Sequence, residues 1–264
     1  MTRSRLVGSP PVHEIAVGSG ERIAAAMAQR QDGVMGRAMR SLNARLSKVQ
    51  SMACAAVVAA VMAVHPMAAL KAQSFPPFIG TATRVTAATV PYTWHPGCPV
   101  GPSLLRLLHL SYVGFDGHAY VGTMVVNETV VADVIKVFSI LYANRFPIHS
   151  MEPEDVFHGS DPASMAADNT SGFNCRYAVA PGPPQWSVHA YGEAIDVNPV
   201  QNPYLEGGKV QPAAGAAYLD RGVVRPGMAE IGGVLNEAFA SVGWYWGGRW
   251  AASPDYQHFS STGG

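Results

Sequence analysis

A basic stretch runs straight into an apolar one, and that junction limits how much of the chain can fold as a domain. Arg37, Arg40, Arg45 and Lys48 precede the run Met52–Val64, and small residues follow as far as Ala72. A positive region, a 13-residue apolar core and a small-residue end make a secretory signal peptide. The run is shorter than the roughly 20 apolar residues that span a bilayer as a helix. Export with cleavage near Ala72 is therefore expected, and an uncleaved anchor is the alternative. Cys54 sits at the start of the run, which argues against a lipoprotein cleavage site. Residues 1–34 are long for the basic region, so Met35 or Met39 is a second possible start. The expected organisation is an N-terminal extension and signal over 1–72, an extended lead-in over 73–104 rich in Pro, Thr and Gly, and one domain over 105–264.

Removing the first 72 residues changes the charge of what is left. Of 18 basic and 18 acidic residues, nine and fifteen lie in 73–264. An acidic body argues against nucleic-acid binding, which wants clustered Lys and Arg. Cys54 leaves with the signal, so Cys98 and Cys175 remain. In an oxidising compartment such a pair can bridge, and closing that loop would stabilise by about 4–5 kcal/mol. The alternative is two buried thiols. Two cysteines are too few for a cysteine-based zinc site. No internal repeat is present, and the exported body is expected to be monomeric.

The periodicity alternates between helix and strand. Ala119–Val126 has the β-branched and aromatic content of a strand. Val130, Val134, Val137, Phe138 and Leu141 fall on one helical face, so a helix is expected over 129–144, capped by Asn127 or Thr129. Short strands are expected at 148–151, 173–179, 193–197 and 256–259, and a second helix over 228–242. Many Pro and Gly breakers separate them. This mixture predicts an α+β domain with a small, mostly antiparallel sheet flanked by helices.

Three segments carry candidate chemistry: Asp168–Arg176, Ser187–Asp196 and Asp255–Phe259. A catalytic zinc site takes three His or carboxylate ligands and keeps one position open. His189 and Asp196 can be brought together by the turn at Gly192, and His258 can supply a third ligand. No H-E-x-x-H helix is present. Spacing alone does not settle the matter, since a lone His is more often a packed or surface residue.

The pattern Ser187-x-His189-x-x-Gly192-x-Ala194-x-Asp196, followed by Asp255-Tyr-x-His258-Phe259, resembles the zinc D-alanyl-D-alanine carboxypeptidase and L-alanyl-D-glutamate peptidase family. That group includes the vancomycin-resistance dipeptidases and phage endolysin peptidases. Asn169–Arg176 and Trp244–Trp250 extend the resemblance to about 114–259. The tail departs from it, since Ser260 stands where a charged residue is expected. The resemblance implies a single Zn²⁺ held by His189, Asp196 and His258. It further implies Asp255 as general base and Arg176 on a substrate carboxylate or oxyanion. The alternative for Arg176 is an ion pair with an acid such as Asp168. Ser187 either hydrogen-bonds near the substrate or serves the turn, and Glu193 is read as solvated. Trp244, Trp246 and Trp250 form either a substrate wall or core packing, with packing favoured for two of them. The implied partner is a peptidoglycan stem peptide, and the implied reaction is hydrolysis of its terminal D-Ala-D-Ala bond. An endopeptidase cutting L-Ala-D-Glu or a cross-link is one alternative. A zinc-bearing wall-binding module without catalysis is another. Asp255 argues against the latter, because binding needs no base beside a ligand.

Overall fold

A three-stranded antiparallel sheet forms one side of the protein. It consists of β1 (Gly80–Arg84), β2 (Leu105–Val113) and β3 (Ala119–Asn127), with β2 in the middle. The structure, a computed structural model, describes residues 75–179 and 183–264. The expected signal segment lies outside the described residues. No described helix is long and apolar enough to cross a membrane.

Side chains alternate across a strand, and both faces of this sheet are covered. Leu108, Leu110, Met124 and Val126 point into the main core, while Leu105 and Val125 join a smaller cluster with Val85, Val90 and Phe173. Helix α1 (Val131–Ala143) packs on the main-core side through Val134, Val137, Phe138 and Leu141. Its lead-in turn, Glu128–Val130, is capped by Asn127, whose side chain accepts from the Thr129 amide at 3.1 Å.

Next come β4 (Ser150–Met151), α2 (Asp161–Ala166) and β5 (Asn169–Thr170), with β4 and β5 pairing parallel. The remaining elements are β6 (Ala194–Asp196), the hairpin β7 (Tyr204–Glu206) and β8 (Lys209–Gln211), α3 (Val234–Ala240), β9 (Tyr245–Trp246) and β10 (His258–Ser260). A second antiparallel sheet has the order β6-β10-β9. Ser171, just after β5, pairs with Asp196, so the motif segment runs alongside this sheet. The fold is α+β, with two three-stranded antiparallel sheets and two two-stranded pairs, β4–β5 and β7–β8.

Several elements differ from the sequence reading. Residues 75–104, expected as an extended lead-in, contribute β1 and bury Val85, Val90 and Val100. Residues 173–179 form no strand, only a bridge between Tyr177 and Trp186: Phe173 and Cys175 enter the smaller core cluster, while Asn174 and Arg176 are held by Glu154 and Asp161. The second helix is halved: Gly232 and Gly233 precede it, and Ile231, expected on its apolar face, is 76% exposed. Strand β2 and helix α2 went unforeseen, as did the hairpin β7–β8 between the strand expected at 193–197 and the helix expected over 228–242. Cys98 and Cys175 are disulfide-bonded.

Candidate metal centre

Strand alternation sets two of the expected ligands side by side. Phe259 is fully buried and stacks on Phe239 with ring centroids 4.2 Å apart, so its neighbour His258 points to the opposite face of β10. Ile195 enters the same core, which turns Asp196 outward in the same way. His258 and Asp196 are direct cross-strand partners. His189 arrives from a 3-10 turn, Val188–Tyr191, whose first amides are capped by Ser187: its Oγ accepts from the His189 amide at 3.3 Å. Ser187 thus shapes the turn while also lining the cavity. The turn ends at Gly192, which has φ 71°, and a Cβ there would lie 2.6 Å from the Asn127 nitrogen.

Three side chains converge. His189 Nε2 lies 3.3 Å from Asp196 Oδ2, His258 Nδ1 lies 3.2 Å from Asp196 Oδ1, and the two ring nitrogens are 3.2 Å apart. All three residues are buried. The outer nitrogen of each imidazole is committed. His189 Nδ1 donates to the Gly172 carbonyl at 2.7 Å, and His258 Nε2 donates to the Gly264 carbonyl at 3.2 Å. A carbonyl can only accept, so each ring turns its lone-pair nitrogen inward. Two lone pairs and a carboxylate facing one another inside a protein repel unless a cation sits among them. Ligands about 2.0–2.1 Å from a tetrahedral ion are about 3.3 Å apart; the two imidazole nitrogens show that separation, and each lies as close to a different oxygen of the Asp196 carboxylate. The donor set therefore fits a divalent metal with one position left open. Burial pushes the Asp196 carboxyl up, but the two imidazoles outweigh it and hold the group well below the usual range. Burial opposes charge on His189 as well, and Asp196 overrides it, raising the imidazole.

A cavity of about 440 Å³ opens over these atoms, lined by Arg176, Trp186, Tyr204, Trp250 and Asp255 among others. That size suits a small ligand or a short peptide segment. Asp255 Oδ1 is sealed from solvent and has no hydrogen-bond partner. Burial, then repulsion from Asp196, pushes the Asp255 carboxyl up to about 8, against the pull of His258 and Arg176. Gly247 makes room for it, because a Cβ there would lie 2.9 Å from the Asp255 carbonyl and 3.2 Å from His258 Cβ. Trp250 sits beside His258, with rings 5.3 Å apart. Trp244 packs on Phe239, and Trp246 stacks over Phe259. Glu193 is half-buried at the start of β6.

Arg176 reaches the cavity, but its ion-pair partner is Asp161 at 2.9 Å rather than Asp168. Asp168 instead accepts from the Val200 amide at 2.9 Å. The rest of the motif is scaffolding. Asn169 bonds both backbone groups of Glu152 at 2.9 Å. Buried Glu154 accepts from Ser171 Oγ at 2.7 Å and Asn174 Nδ2 at 3.1 Å. Burial raises the Glu154 carboxyl, and its two donors hold it in place beneath the site. Sequence reasoning missed Asp161, Glu154 and the two orienting carbonyls. No local spacing links them to the ligands, and a carbonyl carries no residue-type signal.

Fold and site together define a small α+β domain in which His189, Asp196 and His258 form a cluster that could hold a metal ion at the floor of a cavity. Residues 181–261 match the family described as D-alanyl-D-alanine carboxypeptidase. The match takes in Ser187, His189, Asp196, Asp255 and His258, leaves out Arg176, and supports the resemblance drawn from the sequence. It makes this stretch similar to a family of metal-dependent, peptidoglycan-related peptidases. Neither the curated proteins nor the solved structures compared with the chain match it.

Proposed function

We propose that the protein is a zinc-dependent peptidase that acts on peptidoglycan stem peptides at the terminal D-Ala-D-Ala bond, outside the cytoplasm in secreted or periplasmic form. One observation carries this reading: two inward-facing imidazole nitrogens and the Asp196 carboxylate within 3.2–3.3 Å of one another, with the Asp255 carboxyl, its Oδ1 unpartnered, in the same cavity. His189, Asp196 and His258 would hold the zinc, which would supply Lewis acidity and bring the pKa of water toward neutrality. Asp255 accepts the proton of the attacking water and returns one to the leaving amine. Arg176 meets the negative charge of the substrate, either the terminal carboxylate or the oxyanion that develops at the scissile carbonyl. Trp186 and Trp250 cover the apolar part of the peptide and thin out the water around the reacting groups.

Defined muropeptides incubated with the zinc-loaded protein, with products read by mass spectrometry, test the reading. Release of D-alanine from a pentapeptide stem is expected. A C-terminally amidated stem should be cut poorly, because it lacks the carboxylate. Cleavage at an internal bond would move the assignment to an endopeptidase, and intact substrates in every arm would refute peptidase action.

A further inference from the structure

Helix α2 turns one face to the cavity, through Asp161, Pro162 and Met165. Asp161 is its first residue, and its carboxylate meets the Arg176 guanidinium at 2.9 Å with side-chain exposures of only 15% and 23%. The two backbones are tied as well as the side chains. Asn174 Nδ2, two residues before Arg176, bonds the Gly159 carbonyl, two residues before Asp161, at 3.2 Å. Arg176 Nε is buried and without a partner, so part of the guanidinium's donor capacity stays unused while one end is held.

We propose that Asp161 is a positioning residue, which fixes the Arg176 guanidinium at the cavity wall in the pose that meets the substrate. An arginine side chain is long and loses much rotamer freedom when it binds. An ion pair that is half-buried and braced by Asn174 removes that freedom before the substrate arrives. Because Asp161 takes one end only, the guanidinium's other donors stay uncommitted at the cavity wall that Arg176 lines. The inference rests on Arg176 being the substrate-binding group proposed above.

A double-mutant cycle tests it, with kcat and KM measured on a D-Ala-D-Ala pentapeptide stem, and zinc content and Tm measured for every variant. Asp161→Asn is expected to raise KM about 10-fold or more with zinc retained, within the coupling seen between contacting groups. In an Arg176→Ala background the same change should have no further effect. Asp161→Glu keeps the charge at a longer reach and should raise KM less. An unchanged KM in Asp161→Asn overturns the inference. So does an equal loss with and without Arg176, the mark of a purely structural role. If Arg176→Ala itself keeps the wild-type kcat/KM, the substrate-binding reading of Arg176 fails first and the inference falls with it. If Arg176→Ala is impaired and Asp161→Asn is not, the inference alone fails.

Discussion

Gly192→Ala would place a methyl group where the site turn crosses the end of β3. Gly192 has φ 71°, a conformation that costs an L-residue with a side chain about 1–2 kcal/mol. The added Cβ would lie 2.6 Å from the Asn127 nitrogen, 3.1 Å from the Val126 carbonyl carbon and 3.2 Å from a Leu105 methyl. Two of these neighbours are backbone and cannot swing aside. Relief means moving the turn away from β3, which strains the 2.8 Å bond from the Asn127 amide to the Gly192 carbonyl. Overpacking of this kind adds about 1–3 kcal/mol. The sum is about 2–5 kcal/mol, and for a domain of this size that lowers Tm by about 5–15 °C. The turn also carries His189, so the same shift opens the three-donor cluster and weakens metal binding. Thermal unfolding by circular dichroism, with and without added zinc, reads both effects. A variant that melts within about 1 °C of the wild type and binds zinc equally well would refute the reasoning.

Four further outcomes are expected. His258→Ala removes one donor of three, so elemental analysis should show most zinc lost and stem-peptide hydrolysis abolished; one zinc per chain would overturn the ligand set. Asp255→Asn keeps all three donors, so zinc should stay while kcat falls about 10²–10⁴-fold, and near-normal turnover would remove its role as base. In the metal-free protein Asp255 sits at about 8 and is protonated at pH 7, and a nearby dication lowers that value, so zinc uptake at pH 7 should release protons and uptake at pH 9 fewer; calorimetry in buffers of different ionisation enthalpy measures the difference, and identical heats would contradict it. Reducing the Cys98–Cys175 bond, which spans 77 residues, should destabilise by about 4–5 kcal/mol in the chain-entropy account, visible as a lower denaturation midpoint, whereas an unchanged midpoint would count against it.

The sequence by itself determined the chemistry of the donors. Imidazole and carboxylate at 189, 196 and 258 are the types that bind a borderline metal, and no reshuffling of contacts turns them into anything else. Helix α1 and strand β3 were also legible, because long apolar periods report which face is buried, and Asn127 marked the cap. The short elements were not. A two- or three-residue strand such as β6 or β10 carries no period of its own, and its pairing depends on a partner some 60 residues away. Tertiary structure alone decided that Asp196 and His258 stand opposite each other, since the register is set by Phe259 and Ile195 seeking the core. It also decided which imidazole nitrogen faces inward, because the Gly172 and Gly264 carbonyls take the other one. The partner of Arg176 lay beyond the sequence for the same reason. The chain alone does not say whether Asp161 or Asp168 meets it, and the fold sets Asp161 at the guanidinium and Asp168 on the Val200 amide. Residue type fixes what a group can do, and packing fixes what it meets.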